Sequence, residues 1–173
     1  MILYESIHQF EPLLPTLAHP ELDALAEDLS ARARELKGMV HPATGARIAE
    51  LLRGVNSYYS NRIEGQHTHP REIERALRKD FNEAPEKARL QRLAIAHIDT
   101  QKEMESWLAT DPALSVYSAD FIARLHASFY GKLPAGERVT EQGDAIVPGK
   151  WRTKEVQVGK HVAPAWRAVP DFL

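Results

Sequence analysis

The segment PEKARLQRLAIAHIDTQKEMESWLA, residues 85–109, is the longest stretch of the chain with a helical pattern, and it decides the fold class. Its apolar and small residues recur at intervals of three or four, and the stripe comprises Leu90, Ala94, Ile98, Gln101, Met104 and Leu108. This spacing places the stripe on one face of a helix. We therefore expect a long helix here and a mainly α fold.

Shorter helical patterns lie on both sides of this segment. They predict helices over residues 20–37, 43–53 and 56–65, a short helix that ends at Leu77, and another that opens after Ser118. Gly38 and Gly54 are the expected ends of the first two helices, because glycine favours a helix terminus. Thr68 is the expected N-cap of the short helix.

The two ends of the chain have a different character. The first 18 residues are apolar but interrupted by Pro12 and Pro15, which predicts an extended arm packed on the body. From Gly143 onward, glycines and prolines flank short alternating runs, so we expect a β-hairpin over about residues 144–160. Residues 169–173 have the pattern of the beginning of a helix.

Composition narrows the class of protein. The 173 residues are 43% hydrophobic and 27% charged, as in a soluble globular domain. A formal net charge of −2 gives no general attraction to nucleic acid or anionic lipid, so neither a nucleic-acid nor a membrane partner is expected. The chain has no cysteine, no apolar run long enough to cross a bilayer and no basic leader pattern, which indicates a cytoplasmic protein.

The segment SNRIEG, residues 60–65, has the pattern of a helical turn that ends abruptly. Ser60 and Glu64 are four residues apart and lie on one helix face, while Gly65 can adopt the left-handed conformation that ends a helix. Such a short pattern also occurs at ordinary solvated helix ends. The residues alone therefore predict only a carboxylate placed near a helix terminus.

Other segments give this turn a context: NSYYSNRIEG at residues 56–65, THPREIERAL at 68–77, PGKWR at 148–152 and VQVGKH at 156–161. Together they resemble the Fic family, whose members are mostly protein adenylyltransferases. Residues 60–65 are similar to the family's inhibitory-helix motif, in the subgroup that carries this helix upstream of the core. The resemblance extends from about Leu51 to the end of the chain.

The resemblance implies a Fic-like helical bundle with a small β-hairpin flap. Residues 1–110 would form an N-terminal helical region, with the inhibitory helix at about 56–65. Residues 111–173 would begin the Fic domain and include the flap at about 144–160. In the family, an extended segment of the target protein adds to the edge of the flap.

The resemblance also implies roles for individual residues. Glu64 would be a buried carboxylate that pairs with an arginine of the core, an arginine that otherwise holds the γ-phosphate of ATP. Ser60 would fix the helix by a local hydrogen bond, and Gly65 would turn the chain away. The residues expected at the target-docking flap are Gly149, Arg152, Thr153, Glu155 and Gln157, and those expected near the nucleotide are Lys160 and His161.

The catalytic motif of the family, His-Pro-Phe-x-Asp/Glu-Gly-Asn-Gly-Arg, occurs nowhere in the sequence, and family order places it beyond Leu173. We therefore expect a chain truncated before the core, with no catalytic residue of its own and no AMP transfer by itself. In the complete enzyme, Mg-ATP would donate AMP to a tyrosine, threonine or serine hydroxyl of a target protein. A homodimer is a further expected partner, because family members often regulate themselves through dimer contacts.

Two alternatives remain at the level of sequence. The chain could be an antitoxin-like protein that presents Glu64 in trans to a separate Fic core, although such an inhibitor would not need a docking flap. It could also be a degenerate remnant with a structural role. A metal site is not expected, because the closest histidine pair, His67 and His69, has no carboxylate cluster nearby and matches neither zinc-protease nor zinc-finger spacing.

Overall fold

The computed structural model describes residues 19–140, 142–159 and 161–172. Its α-helices are α1 (Pro20–Met39), α2 (Pro42–Ile63), α3 (Pro70–Leu77), α4 (Pro85–Thr110) and α5 (Ala119–Gly131). Short 3-10 helices cover Ala135–Glu137 and Trp166–Phe172, and β1 (Gln157–Val158) pairs antiparallel with β2 (His161–Val162). The predicted mainly α class is confirmed.

Helix α4 is the centre of the fold, because α2, α3 and α5 all pack against it. One side of α4 joins α2 and α3 around a cluster of Ile73, Ala94 and Ile98, with Tyr58 and Ile95 at its edge. The other side joins α5 around Leu93, Ala96 and Leu133, with Leu90, Phe129 and Tyr130 at its edge. A helix that buries both sides in this way holds α2, α3 and α5 in one body.

Buried polar side chains fix the register of these contacts. Ser57 on α2 is fully buried, and its hydroxyl donates to the carbonyl of Ala94 at 3.0 Å. Gln91 on α4 is also fully buried; its amide donates to the backbone carbonyl of Glu72 at 2.9 Å and accepts from the N–H of Asn82 at 2.7 Å. Each bond satisfies a group that would otherwise be buried without a partner.

A polar cluster joins α4 to α5 at the partly exposed side of their interface. The Ser128 hydroxyl donates to Glu103 at 2.6 Å, and Lys132 donates to the Ser128 oxygen at 2.7 Å. Lys132 also pairs with Glu103 at 2.9 Å. The hydrogen bonds from Ser128 and Lys132 lower the pKa of the Glu103 carboxyl, which keeps the cluster ionised.

The helix boundaries correct two predictions and shift a third by one residue. Helix α1 ends at Met39, one residue past the predicted stop at Gly38, whereas Gly54 lies inside α2, so residues 42–63 form one helix. A single interior glycine costs only about 1 kcal/mol relative to alanine, which the rest of a 22-residue helix outweighs. Thr68 is not a cap: His69 precedes α3, and the Thr68 hydroxyl is buried with no partner among the described residues.

Other predictions about helix ends are confirmed. The Ser118 hydroxyl accepts from the N–H of Phe121 at 3.2 Å and caps α5. Helix α4 covers the predicted range, and Pro85 occupies its first turn, where a missing N–H has no cost.

The C-terminal region differs from the predicted hairpin over residues 144–160, which is not confirmed. Regular pairing is limited to the two-residue strands β1 and β2, and an isolated bridge joins Val139 to Ala145. Between them, residues 148–156 are irregular, because the backbone turns at Gly149 and is held by side chains. The helix expected at 169–173 is the later part of the 3-10 helix Trp166–Phe172. The arm expected over residues 1–18 lies outside the described residues.

Candidate functional site

The end of α2 is formed by a glycine turn of defined geometry. Gly65 has φ +74°. Its N–H donates to the carbonyl of Arg62 at 3.1 Å, and the N–H of Gln66 donates to the carbonyl of Asn61 at 2.8 Å. This pair of bonds is the Schellman motif, which needs the left-handed conformation that glycine adopts most readily. The role predicted for Gly65 in turning the chain therefore has a backbone geometry that supports it.

Glu64 is the residue at the C-cap of α2, and its backbone N–H donates to the carbonyl of Ser60 at 3.3 Å. The side chains of both residues are exposed. Within the described part of the chain, the Glu64 carboxylate makes no hydrogen bond and no ion pair. The expected buried carboxylate is thus exposed here, held at a fixed helix end and free to pair.

Neighbouring side chains on α2 form hydrogen bonds within the helix. The Arg62 guanidinium donates to the Tyr58 hydroxyl at 2.9 Å, so it bonds back along the helix instead of to Glu64. Asn61 donates to the buried Ser57 hydroxyl at 3.4 Å. Both contacts lie within α2, and Ser57 connects its last turns to α4 by donating to the carbonyl of Ala94.

The second group of predicted residues lies between α5 and the C-terminal 3-10 helix. Gly149 has φ +76°, and its N–H donates to Nδ1 of His126 on α5 at 2.9 Å. A Cβ atom at this position would lie 3.0 Å from the Cβ of Ala127 and 3.4 Å from the carbonyl of Ala123. Gly149 is therefore a point of close approach between the irregular segment and α5.

Arg152 has a structural role that the sequence did not reveal. Its guanidinium donates to the carbonyl of Lys154 at 2.9 Å and to the carbonyl of Pro164, and it pairs with Glu155 at 3.8 Å. The Glu155 carboxylate in turn accepts from the N–H of Trp166 at 3.3 Å. Together these bonds hold residues 152–155 beside the segment that leads into the last 3-10 helix.

The same segment borders a cleft of about 1040 Å³. Four of the five predicted docking residues line it, namely Arg152, Thr153, Glu155 and Gln157, and Thr153, Glu155 and Gln157 are exposed. Gly149 and Glu64 do not line the cleft. The structure therefore brings most of the flap residues together but keeps them apart from the proposed inhibitory residue.

Of the two residues expected near the nucleotide, Lys160 lies outside the described residues. His161 begins β2 and pairs through its backbone with Val158. Among the described residues there is no group of three or more histidine, aspartate or glutamate side chains arranged to hold a metal ion. None of the described helices combines the length and apolar character needed to cross a membrane.

His126 belongs to the site although none of the sequence motifs includes it. Its ring lies 4.6 Å from the Tyr130 ring, and burial lowers its pKa. Because Nδ1 accepts from Gly149, the neutral imidazole is the form that anchors the segment. A histidine four residues before a tyrosine on a helix was the signal available, and it carries no indication of a backbone partner 23 positions later.

Comparison with known proteins identifies no relative: no protein family, curated protein or solved structure matches the chain.

Replacing Gly149 with alanine should release the segment from α5. The alanine would need a left-handed backbone and would crowd Ala127, at a cost of about 1 to 3 kcal/mol. We expect the backbone amide at position 149 to exchange its hydrogen about ten- to a hundredfold faster. Gly136→Ala is the control, because no atom lies within 4 Å of the added Cβ there. Equal exchange in the two variants would contradict the contact.

Acidification should weaken the fold through His126 and His97. Burial lowers the pKa of each from 6.5, so the unfolded chain binds protons more readily. The contribution is complete above about pH 6.5 and is lost as the pH falls through the lower folded values. We expect Tm to fall between about pH 7 and pH 5, and to fall less in His126→Asn, whose amide oxygen can still accept from Gly149. An unchanged pH profile in this variant would remove His126 from the explanation.

Proposed function

We propose that this chain is the regulatory and target-docking part of a self-inhibited protein adenylyltransferase of the Fic type. The observation that carries the proposal is the exposed Glu64 carboxylate, unpaired within the described residues, at a helix end closed by a Schellman turn. A carboxylate in that position is available for a charged partner outside this body. The four sequence segments that resemble the family supply the identity of that partner, an arginine of the catalytic core.

The inhibitory chemistry is a competition for one guanidinium. A carboxylate and a phosphate both accept paired hydrogen bonds from arginine, so Glu64 bound to the core arginine would exclude the γ-phosphate of ATP. The exposed position of Glu64 fits this role, because burial would come from the core itself. Ser60 lies one turn earlier on the same helix, and its carbonyl accepts from the N–H of Glu64 as that of any residue at this position would.

The docking role rests on residues 149–157. The anchors at Gly149 and Arg152 hold this irregular segment beside a cleft, while Thr153, Glu155 and Gln157 remain exposed. A held backbone whose N–H groups are unpaired within the described residues offers donors to which an added target segment can bond. The target hydroxyl, of a tyrosine, threonine or serine, would then lie next to the catalytic core.

The complete enzyme would use Mg-ATP and attach AMP to that hydroxyl, and the present chain would be inactive without the core. Within the proposed organisation, residues 1–110 carry the inhibitory helix and residues 111–173 begin the Fic domain. Helix α4 ends at Thr110 and packs on both α2 and α5, so the two regions would share one core. A homodimer is compatible with this arrangement and forms part of the proposal only as a regulatory contact.

The competing function is that of an antitoxin-like protein that inhibits a separate Fic core through Glu64. An exposed carboxylate suits this function equally well. The segment held at Gly149 and Arg152 favours the enzyme, because an inhibitor alone has no use for a target-docking edge.

The first experiment reads the source gene beyond Leu173 and assays its full product. Purified protein is incubated with Mg²⁺, ATP radiolabelled on the α-phosphate and a cell extract. A His-Pro-Phe and Gly-Asn-Gly-Arg core in the same reading frame, with label transferred to protein, is the expected result. A stop codon directly after Leu173 would overturn the enzyme proposal. Inhibition of a separately expressed Fic core by this chain would then establish the antitoxin-like function.

A further inference from the structure

Among the described side chains that line the cleft beside residues 149–157, the cations outnumber the anions. Among the side chains that line it, Lys154 pairs with Asp144 and Arg152 pairs with Glu155. Lys150 and Arg167 also line the cleft, and neither has an ion pair within the described ranges. The charged groups that remain available to a ligand in this part of the cleft are therefore the cations Lys150 and Arg167.

Two aromatic rings accompany these cations. Trp151 and Trp166 line the cleft and are only partly buried, and the Arg167 guanidinium lies 4.2 Å from the centre of the Trp166 ring. Stacking on the ring holds Arg167 in place without neutralising it. The cation is thus positioned in advance for an anionic group in the cleft.

Between these side chains, backbone N–H groups are available to donate to a ligand. In the part of the chain that the structure describes, no N–H group from Trp151 to Val156 donates to a hydrogen bond. The carbonyl groups of Lys154 and Val156 do accept, from Arg152 and from the N–H of Ala163 at 3.1 Å. A run of unpaired N–H groups beside a cleft favours an extended peptide, because its carbonyl groups can accept from this edge.

We propose that this cleft selects an extended acidic segment of the target protein, with carboxylates that meet Lys150 and Arg167 at the two sides of the open backbone edge. The inference rests on the proposed docking function and adds the chemical class of the docked segment. Selection is local: the chain as a whole has a net charge of −2, which would repel an acidic peptide. Any preference for acid must therefore come from the cleft.

The test measures the binding of three fluorescein-labelled peptides to the 173-residue chain by fluorescence anisotropy. Each peptide has about ten residues, a length suited to one strand, and alternates threonine with glutamate, glutamine or lysine. The expected order of affinity is glutamate, glutamine, lysine. The glutamate peptide should bind about tenfold more tightly than the glutamine peptide at low salt, since two exposed ion pairs each contribute modestly. This difference should disappear at about 1 M salt, where screening acts over about 3 Å.

A matched pair of double variants locates the effect. Lys150→Gln with Arg167→Gln should reduce the affinity for the glutamate peptide to that for the glutamine peptide, and leave the latter unchanged. Arg34→Gln with Lys37→Gln removes the same charge from exposed positions of α1 and should change neither affinity. Circular dichroism confirms that both variants are folded.

Each contrary outcome has a separate meaning. Equal affinity for the three peptides would overturn acidic selection and leave docking intact. Equal weakening in the two double variants would assign the preference to overall charge and also overturn the inference. Binding of none of the peptides would overturn both the selection and the docking function on which it rests.

Discussion

Replacing Glu64 with glutamine, in a polypeptide that also carries the Fic core, should raise the rate of AMP transfer about a hundred- to a thousandfold. Glutamine keeps the size of the side chain but cannot form an ion pair with the core arginine. Losing a buried ion pair of this kind changes the free-energy difference between the inhibited and the active state by about 3 to 5 kcal/mol. The inhibited state is then no longer the main population, and the γ-phosphate of ATP can bind the core arginine. The measurement is the initial rate of label transfer from ATP to protein.

Glu50→Gln provides the matched control, because Glu50 is an exposed carboxylate on the same helix and, among the described residues, pairs with Arg47 alone, at 3.1 Å. Its rate should equal that of the unchanged protein. A further variant, Gly65→Ala, should activate partially, because it strains the turn that fixes Glu64 and leaves the carboxylate present. If Glu64→Gln fails to raise the rate above the Glu50→Gln level, the inhibitory assignment is wrong.

Replacing Gln91 with leucine should lower the free energy of unfolding by about 2 to 4 kcal/mol, although leucine is apolar and of similar size. Gln91 is fully buried and satisfies the carbonyl of Glu72 and the N–H of Asn82. Leucine would leave the N–H of Asn82 without this acceptor, at a cost of about 1 to 3 kcal/mol, and would also remove the bonds from Gln91 to the carbonyl and carboxylate of Glu72. The loss is measured by urea unfolding, with circular dichroism as the signal.

Gln101→Leu on the same helix makes the same chemical change where the amide has only an exposed bond, to Glu105 at 3.3 Å. Surface changes of this kind usually stay within about 0.5 kcal/mol. A loss in Gln91→Leu no larger than in Gln101→Leu would show that the bonds between α4 and the α3 region contribute little. A reduced slope of unfolding free energy against urea would instead point to a change in the compactness of one state.

The helices could be predicted from sequence because their signals are local. The stripe from Leu90 to Leu108 defines α4, and Ser118 caps α5 as its residue type indicates. The glycine turn at Gly65 also follows from a residue preference that acts over one turn. The predicted stop at Gly54 was wrong because a glycine preference of about 1 kcal/mol is small beside the cooperative gain of a long helix.

The site could be predicted only in part, because its contacts join residues that are distant in sequence. Glu64 and Gly65 were found from their spacing, but the exposure of the carboxylate depends on how α2 packs on α4. The bond between His126 and Gly149 and the bond between Arg152 and Pro164 cross 23 and 12 positions. Neither has a local pattern, so the irregular segment looked like a hairpin from its alternation alone.

The single helix α2 has a mechanical consequence. Its 22 residues span roughly 33 Å at about 1.5 Å per residue, and Ser57, near its C-terminal end, is its one buried residue. The buried contact of the helix therefore lies closer to its Glu64 end than to its Pro42 end. Pro42 lies 15 residues before Ser57 and Glu64 lies seven after it, so a tilt of the helix about Ser57 would move the Glu64 end about half as far as the Pro42 end, in the opposite direction. The position of the carboxylate would thus be coupled to whatever displaces the N-terminal end of α2.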